Sequence, residues 1–106
     1  MTVVNVSIKI KILVRYEKDA KKFFEKHKSL QKRYETLMEE FFTGEHPERI
    51  DVKPIEGKQG EYYRMRLGKW RVIFTYDEEN MIIFVNAIYA GSRGDIYKKI
   101  GGLKLL

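Results

Sequence analysis

The chain is predicted to be a single α+β domain with two amphipathic helices packed on one face of a twisted, mainly antiparallel sheet. Three patterns lead there. Every even position from 4 to 16 is apolar or aromatic, which is the period of a half-buried strand. Leu30, Tyr34, Leu37, Met38, Phe41 and Phe42 recur at helical spacing. Segments 62–67, 70–76 and 81–90 are rich in β-branched and aromatic residues and are separated by short turn signals.

The elements follow in order. Val4, Val6, Ile8, Ile10, Ile12, Val14 and Tyr16 line one side of an N-terminal strand, whose length implies a bend or a protruding start. Asp19 offers an N-cap for a short helix carrying Ala20, Phe23, Phe24 and His27. Ser29 offers the cap of a second helix, which Gly44 ends with Pro47 beyond. With so short a linker, the helices read as an antiparallel pair on the sheet. Residues 45–60 hold both prolines and read as a connecting loop. The three later strands form a meander, with Gly68-Lys69 as a two-residue turn and residues 77–80 as the second turn. Residues 92–100 read as a short C-terminal helix stopped by Gly101-Gly102, before an apolar tail of Leu103, Leu105 and Leu106.

Composition narrows the function classes. A length of 106 residues provides one core, so residues 1–106 are taken as one domain. The absence of cysteine excludes disulfides, thiol catalysis and thiolate metal sites, and fits a reducing cytoplasm. No apolar run is long enough for a bilayer and no secretory pattern opens the chain, so neither membrane anchoring nor export is expected. The net charge of +6 favours polyanionic partners.

The Gly68-Lys69 turn fixes a register that sets Leu67 opposite Trp70, Arg66 opposite Arg71, Met65 opposite Val72 and Arg64 opposite Ile73. One face then carries Tyr63, Met65, Leu67, Trp70, Val72, Phe74 and Tyr76, the surface for the helices. The other carries Tyr62, Arg64, Arg66, Arg71, Ile73 and Thr75, with no acidic residue expected in the patch. A four-residue second turn sets Asn86 beside Arg71 and puts Ile83, Val85, Ala87 and Tyr89 on the core side. Any single arginine reads most simply as solvated surface. Converging guanidiniums read at least equally well as a phosphodiester site, because each fork matches two phosphate oxygens.

The segment YRMRLGKWRVIFTYDEENMIIFVNAIYAGSRGDIYK, residues 63–98, resembles the C-terminal half of RelE-family toxins. Its distinctive parts are the hairpin RMRLGKWRVIF and the terminal SRGDIYK. The order of elements is similar to the RelE-like fold of the RelE/ParE superfamily. That resemblance implies a toxin of a type II toxin–antitoxin system, an mRNA interferase that cleaves messenger RNA in the ribosomal A site and is held inactive by a cognate antitoxin. It implies metal-independent endoribonuclease (hydrolase) chemistry and inhibition of translation, with the ribose 2′-hydroxyl attacking its own 3′ phosphodiester. By motif position, Arg66, Arg71, Arg93 and Tyr97 become the expected catalytic residues. Arg64, Tyr62, Lys69 and Lys98 become expected RNA contacts. Where some relatives carry lysines at positions 64 and 66, this chain has arginines, which leaves the general base unassigned.

No metal or other cofactor is expected. His27 belongs to a helix face and His46 to a loop, without a second ligand at zinc spacing. Gly57 and Gly60 lack the Gly-Lys-Ser/Thr ending of a phosphate loop. Lys18, Lys21, Lys22 and Lys26 read as a solvated face, or as a contact for ribosomal RNA or an acidic antitoxin. Two other functions stay open: a ParE-like toxin that poisons DNA gyrase without nuclease chemistry, and a non-catalytic RNA-binding relative.

Overall fold

The computed structural model describes residues 1–6, 10–56, 62–101 and 104–105. Its sheet contains β1 (Thr2–Val6), β2 (Lys11–Tyr16), β3 (Val52–Glu56), β4 (Tyr62–Leu67), β5 (Trp70–Glu79), β6 (Ile82–Ser92) and β7 (Lys104–Leu105). The strand order is β1-β2-β6-β5-β4-β3-β7. Helices α1 (Lys18–Lys26), α2 (Lys28–Thr43) and α3 (Arg93–Ile100) complete the α+β fold. The β2–β6 pair is parallel and the other pairs are antiparallel.

The main core forms where the two helical stripes meet the inward positions of the sheet. Phe24 of α1 and Tyr34, Leu37 and Met38 of α2 pack with Ile12, Val14, Met65, Leu67, Val72, Phe74, Val85 and Ala87. The β4–β5 register is the one the turn predicts, with Arg66 opposite Arg71 and Met65 opposite Val72. A second, smaller core lies on the opposite face, where Ile96 and Ile100 of α3 meet Ile55 and Ile73. That face is therefore only partly basic, because the apolar side of α3 covers part of it.

Several expected boundaries move. The N-terminal segment is two antiparallel strands rather than one, with Val6 paired to Lys11. The intervening residues 7–9, the loop residues 57–60 and the tail residues Leu103 and Leu106 lie outside the described residues. Part of the expected loop 45–60 is β3, which pairs with β4 despite Pro54. Pro47 opens a single 3-10 turn, Pro47–Arg49. The second hairpin turn is Asn80-Met81, both at positive φ, so β5 runs on through the acidic residues Asp77, Glu78 and Glu79. Asp19 and Ser29 are not the helix caps. Those positions belong to Glu17 and His27, neither of which caps through its side chain. Gly44 ends α2 and Ser92 caps α3 by accepting from the Asp95 N–H.

A bulge in β6 has the largest consequence. Ala87 pairs with Phe74 but Tyr89 pairs with Ile73, so Ile88 is the additional residue. Beyond it the faces exchange: Ala90 joins the main core and Tyr89 packs with α3. Asn86 lies before the bulge and pairs with Thr75 because the turn falls at Asn80-Met81, whereas the turn and the bulge together make Gly91 the partner of Arg71.

β2 stops at Tyr16, opposite Ala87, leaving the last part of β6 without a strand on that side. Asp19 accepts the Ala90 N–H at 3.1 Å, and Lys99 donates to the Ala90 carbonyl at 3.1 Å and to Asp19 at 3.0 Å. This ion pair supplies the partners that a neighbouring strand would have supplied and ties α1 to α3 across the free edge.

Burial pushes the phenols of Tyr34 and Tyr16 well above their ordinary range, and Glu35, which accepts a hydrogen bond from Tyr16, adds to the effect. A raised folded-state value means the fold holds these phenols neutral. Their contribution is complete below the unfolded value of about 10 and declines at higher pH, by up to about 1.4 kcal/mol per pH unit for each phenol. Urea midpoints are expected to stay level from about pH 7 to 9 and fall above about pH 10. The Tyr16→Phe/Tyr34→Phe variant is expected to flatten that fall, and an unchanged alkaline decline would refute the assignment.

Candidate functional site

The candidate site sits where the β4–β5 turn meets the first turn of α3. Like charges opposed across strands repel by some tenths of a kcal/mol, so Arg66 and Arg71 need a common acceptor. The turn carbonyl of Gly68 provides it, accepting from Arg66 Nε at 3.3 Å and from an Arg71 terminal nitrogen at 2.8 Å. The same Arg71 nitrogen donates to the Trp70 carbonyl at 3.0 Å. Two guanidiniums are thus folded back onto one turn.

Arg93 joins them because α3 can lie close to β6. Gly91 is buried opposite Arg71, and a Cβ there would stand 3.4 Å from Asp95 Cβ and 3.5 Å from Lys99 Nζ. The side chains of α3 thus lie in van der Waals range of the β6 backbone at Gly91. Within α3 an Arg93 terminal nitrogen lies 3.4 Å from the Tyr97 hydroxyl, and its guanidinium is 5.5 Å from the ring centroid. Burial lowers the Arg71 pKa, and the neighbouring charges of Arg66, Arg64 and Arg93 lower it further, opposed by Asp51. Four cations therefore share one electrostatic field.

The expectation of an acid-free patch is overturned by Asp51, just before β3. Arg64 is buried, with 9% of its side chain exposed, and pairs with Asp51 at 3.2 Å. Arg66 lies 4.0 Å from the other oxygen of that carboxylate and remains 56% exposed. Asp51 escaped sequence reading because the prolines on either side of it hid the strand it precedes.

The remaining expected RNA contacts are dispersed. Tyr62 packs against the small core around Ile73 rather than standing free. Lys69 lies over the Trp70 ring, 4.9 Å from its centroid. Lys98 is exposed on α3, as is Tyr97, at 43%. His27 packs on the helix side of the sheet against Phe23 and Trp70, and His46 pairs with Glu48. Among the described residues no group of three His, Cys, Asp or Glu side chains is placed to hold a metal ion, and no helix is long and apolar enough to cross a membrane.

The arrangement can grip an anionic, tetrahedral group with planar forks from several directions, beside a phenol that accepts a hydrogen bond from a guanidinium. Compared with family models, curated proteins and solved structures, the chain gives no match.

Proposed function

We propose that the chain is a RelE-like toxin that cleaves messenger RNA, without a metal or other cofactor, using Arg66, Arg71, Arg93 and Tyr97. One observation carries the reading: Arg66 and Arg71 share the Gly68 carbonyl while Arg93 stands close enough to depress the Arg71 pKa. Keeping such repelling groups together is useful when a phosphodiester accumulates negative charge between them.

In the proposed reaction the ribose 2′-oxygen attacks the adjacent phosphorus and the bond from phosphorus to the 5′-oxygen breaks, leaving a 2′,3′-cyclic phosphate. Arg71 and Arg66 bind the equatorial oxygens, where preorganised donors of this kind contribute several kcal/mol. Tyr97, whose oxygen accepts a hydrogen bond from Arg93, orients the 2′-hydroxyl, and the 2′ proton passes to solvent. The leaving 5′-oxygen takes a proton from solvent beside Arg93. Arg64, held by Asp51, acts here as a positioning residue beneath Arg66. The proposal includes the ribosomal A site as the place of action, a cytoplasmic location and inhibition by an antitoxin protein.

Protein added to a cell-free translation system, with transcript ends mapped afterwards, tests the reading. Cuts inside translated codons with cyclic phosphate ends are expected. Intact transcripts overturn it, and trapped gyrase–DNA complexes in the same extract would establish the ParE-like alternative.

A further inference from the structure

Behind the arginines, between α1 and α3, lies a cleft of about 300 Å³ in the lower range of small-ligand sites. Phe23, His27 and Trp70 form its wall, Gly91 part of its floor, and Asp95 and Lys99 its α3 side. The three rings touch: Phe23 stacks on His27 at 4.4 Å, and Trp70 meets His27 at 5.1 Å and Phe23 at 5.2 Å. None of them is fully buried, and Lys22 and Lys26 stand at the rim.

Aromatic faces flanked by lysines are the elements of a single-stranded nucleic-acid platform, in which rings take bases and cations follow the backbone. The position is also suitable. Trp70 and Arg71 are consecutive, so their side chains leave opposite faces of one strand end, and their pairing partners Ser92 and Gly91 lie just before Arg93. A strand with one phosphate on Arg71 and Arg93 that continues around this end of the sheet meets the cleft next. Lys69 already lies over Trp70 as a cation does on an aromatic face, a place a stacked base would take. The Asp95 carboxylate can accept from an exocyclic amino group, which favours adenine, cytosine or guanine over uracil.

We propose that this cleft binds a base flanking the phosphodiester gripped by the arginines. The inference rests on the RNA-binding reading of those arginines. Trp70 is the only tryptophan, so its fluorescence reports on the cleft directly. The probes are a labelled deoxyadenosine hexanucleotide, which has no 2′-hydroxyl and stays intact, and an abasic strand of equal length and charge.

The adenine strand is expected to quench Trp70 and bind about five-fold or more tighter than the abasic strand. His27→Ala is expected to shrink that ratio, whereas Arg71→Ala weakens both strands and leaves the ratio intact. Equal affinity and equal quenching for the two strands, with anisotropy showing that both bind, overturn the base site while the arginine site stands. If neither strand binds the wild-type protein, both readings fall.

Discussion

Arg71→Ala is expected to lower the rate of transcript cleavage by about 10²- to 10³-fold, the loss typical of removing one donor aimed at transition-state charge. Its effect on stability should be small for reasons that oppose each other. The substitution removes hydrogen bonds to the Gly68 and Trp70 carbonyls, each worth about 1 kcal/mol at an ordinary site. It also relieves the repulsion Arg71 experiences from Arg66, Arg64 and Arg93. The thermal midpoint should therefore fall by no more than about 8 °C. Arg71→Lys keeps the charge but loses the fork and should lie between wild type and alanine. Arg33→Ala, an exposed change on α2, removes the same net charge and should leave cleavage intact. Cleavage within about ten-fold of wild type in Arg71→Ala, a step of only about 1.4 kcal/mol, would remove Arg71 from the mechanism.

What sequence could and could not reveal divides along physical lines. Strong periodicity located the helices and the β4–β5 hairpin, and a two-residue turn fixed the Arg66–Arg71 pair because side-chain alternation permits a single register there. The β6 bulge was not legible: nothing around Ile88 distinguishes an additional residue from regular alternation, yet it exchanges Tyr89 for Ala90 on the core side. β3 was concealed because Pro54 cannot donate to a ladder, an argument that holds for central strands and is weaker beside a short one such as β7. The acidic run 77–79 resembled a turn, although exposed strand ends accept charge readily. At the site, residue identity foretold the cations but not the counter-ion. Asp51 reaches Arg64 only because β3 pairs with β4, so missing the strand meant missing the ion pair.

That ion pair leads to the second large effect. Asp51→Ala leaves the Arg64 guanidinium buried without a carboxylate, a change that costs about 3–5 kcal/mol when both partners are enclosed. Asp51 is 41% exposed, so water can replace part of what is lost, and a cost of about 2 kcal/mol is expected. Urea unfolding should show it as a lower midpoint at unchanged slope. Asp51→Asn keeps an acceptor for Arg64 and should lose less. Adding Arg64→Met to Asp51→Ala removes the stranded charge while keeping much of the volume, and should restore most of the stability. Should Asp51→Ala instead fall within about 0.5 kcal/mol of wild type, as ordinary surface substitutions do, Arg64 would not depend on its carboxylate. Arg64 would then count with Arg66 and Arg71 among the groups able to turn toward RNA, so the Asp51 cycle decides whether the phosphate site has its arginine at position 64 as ligand or as support.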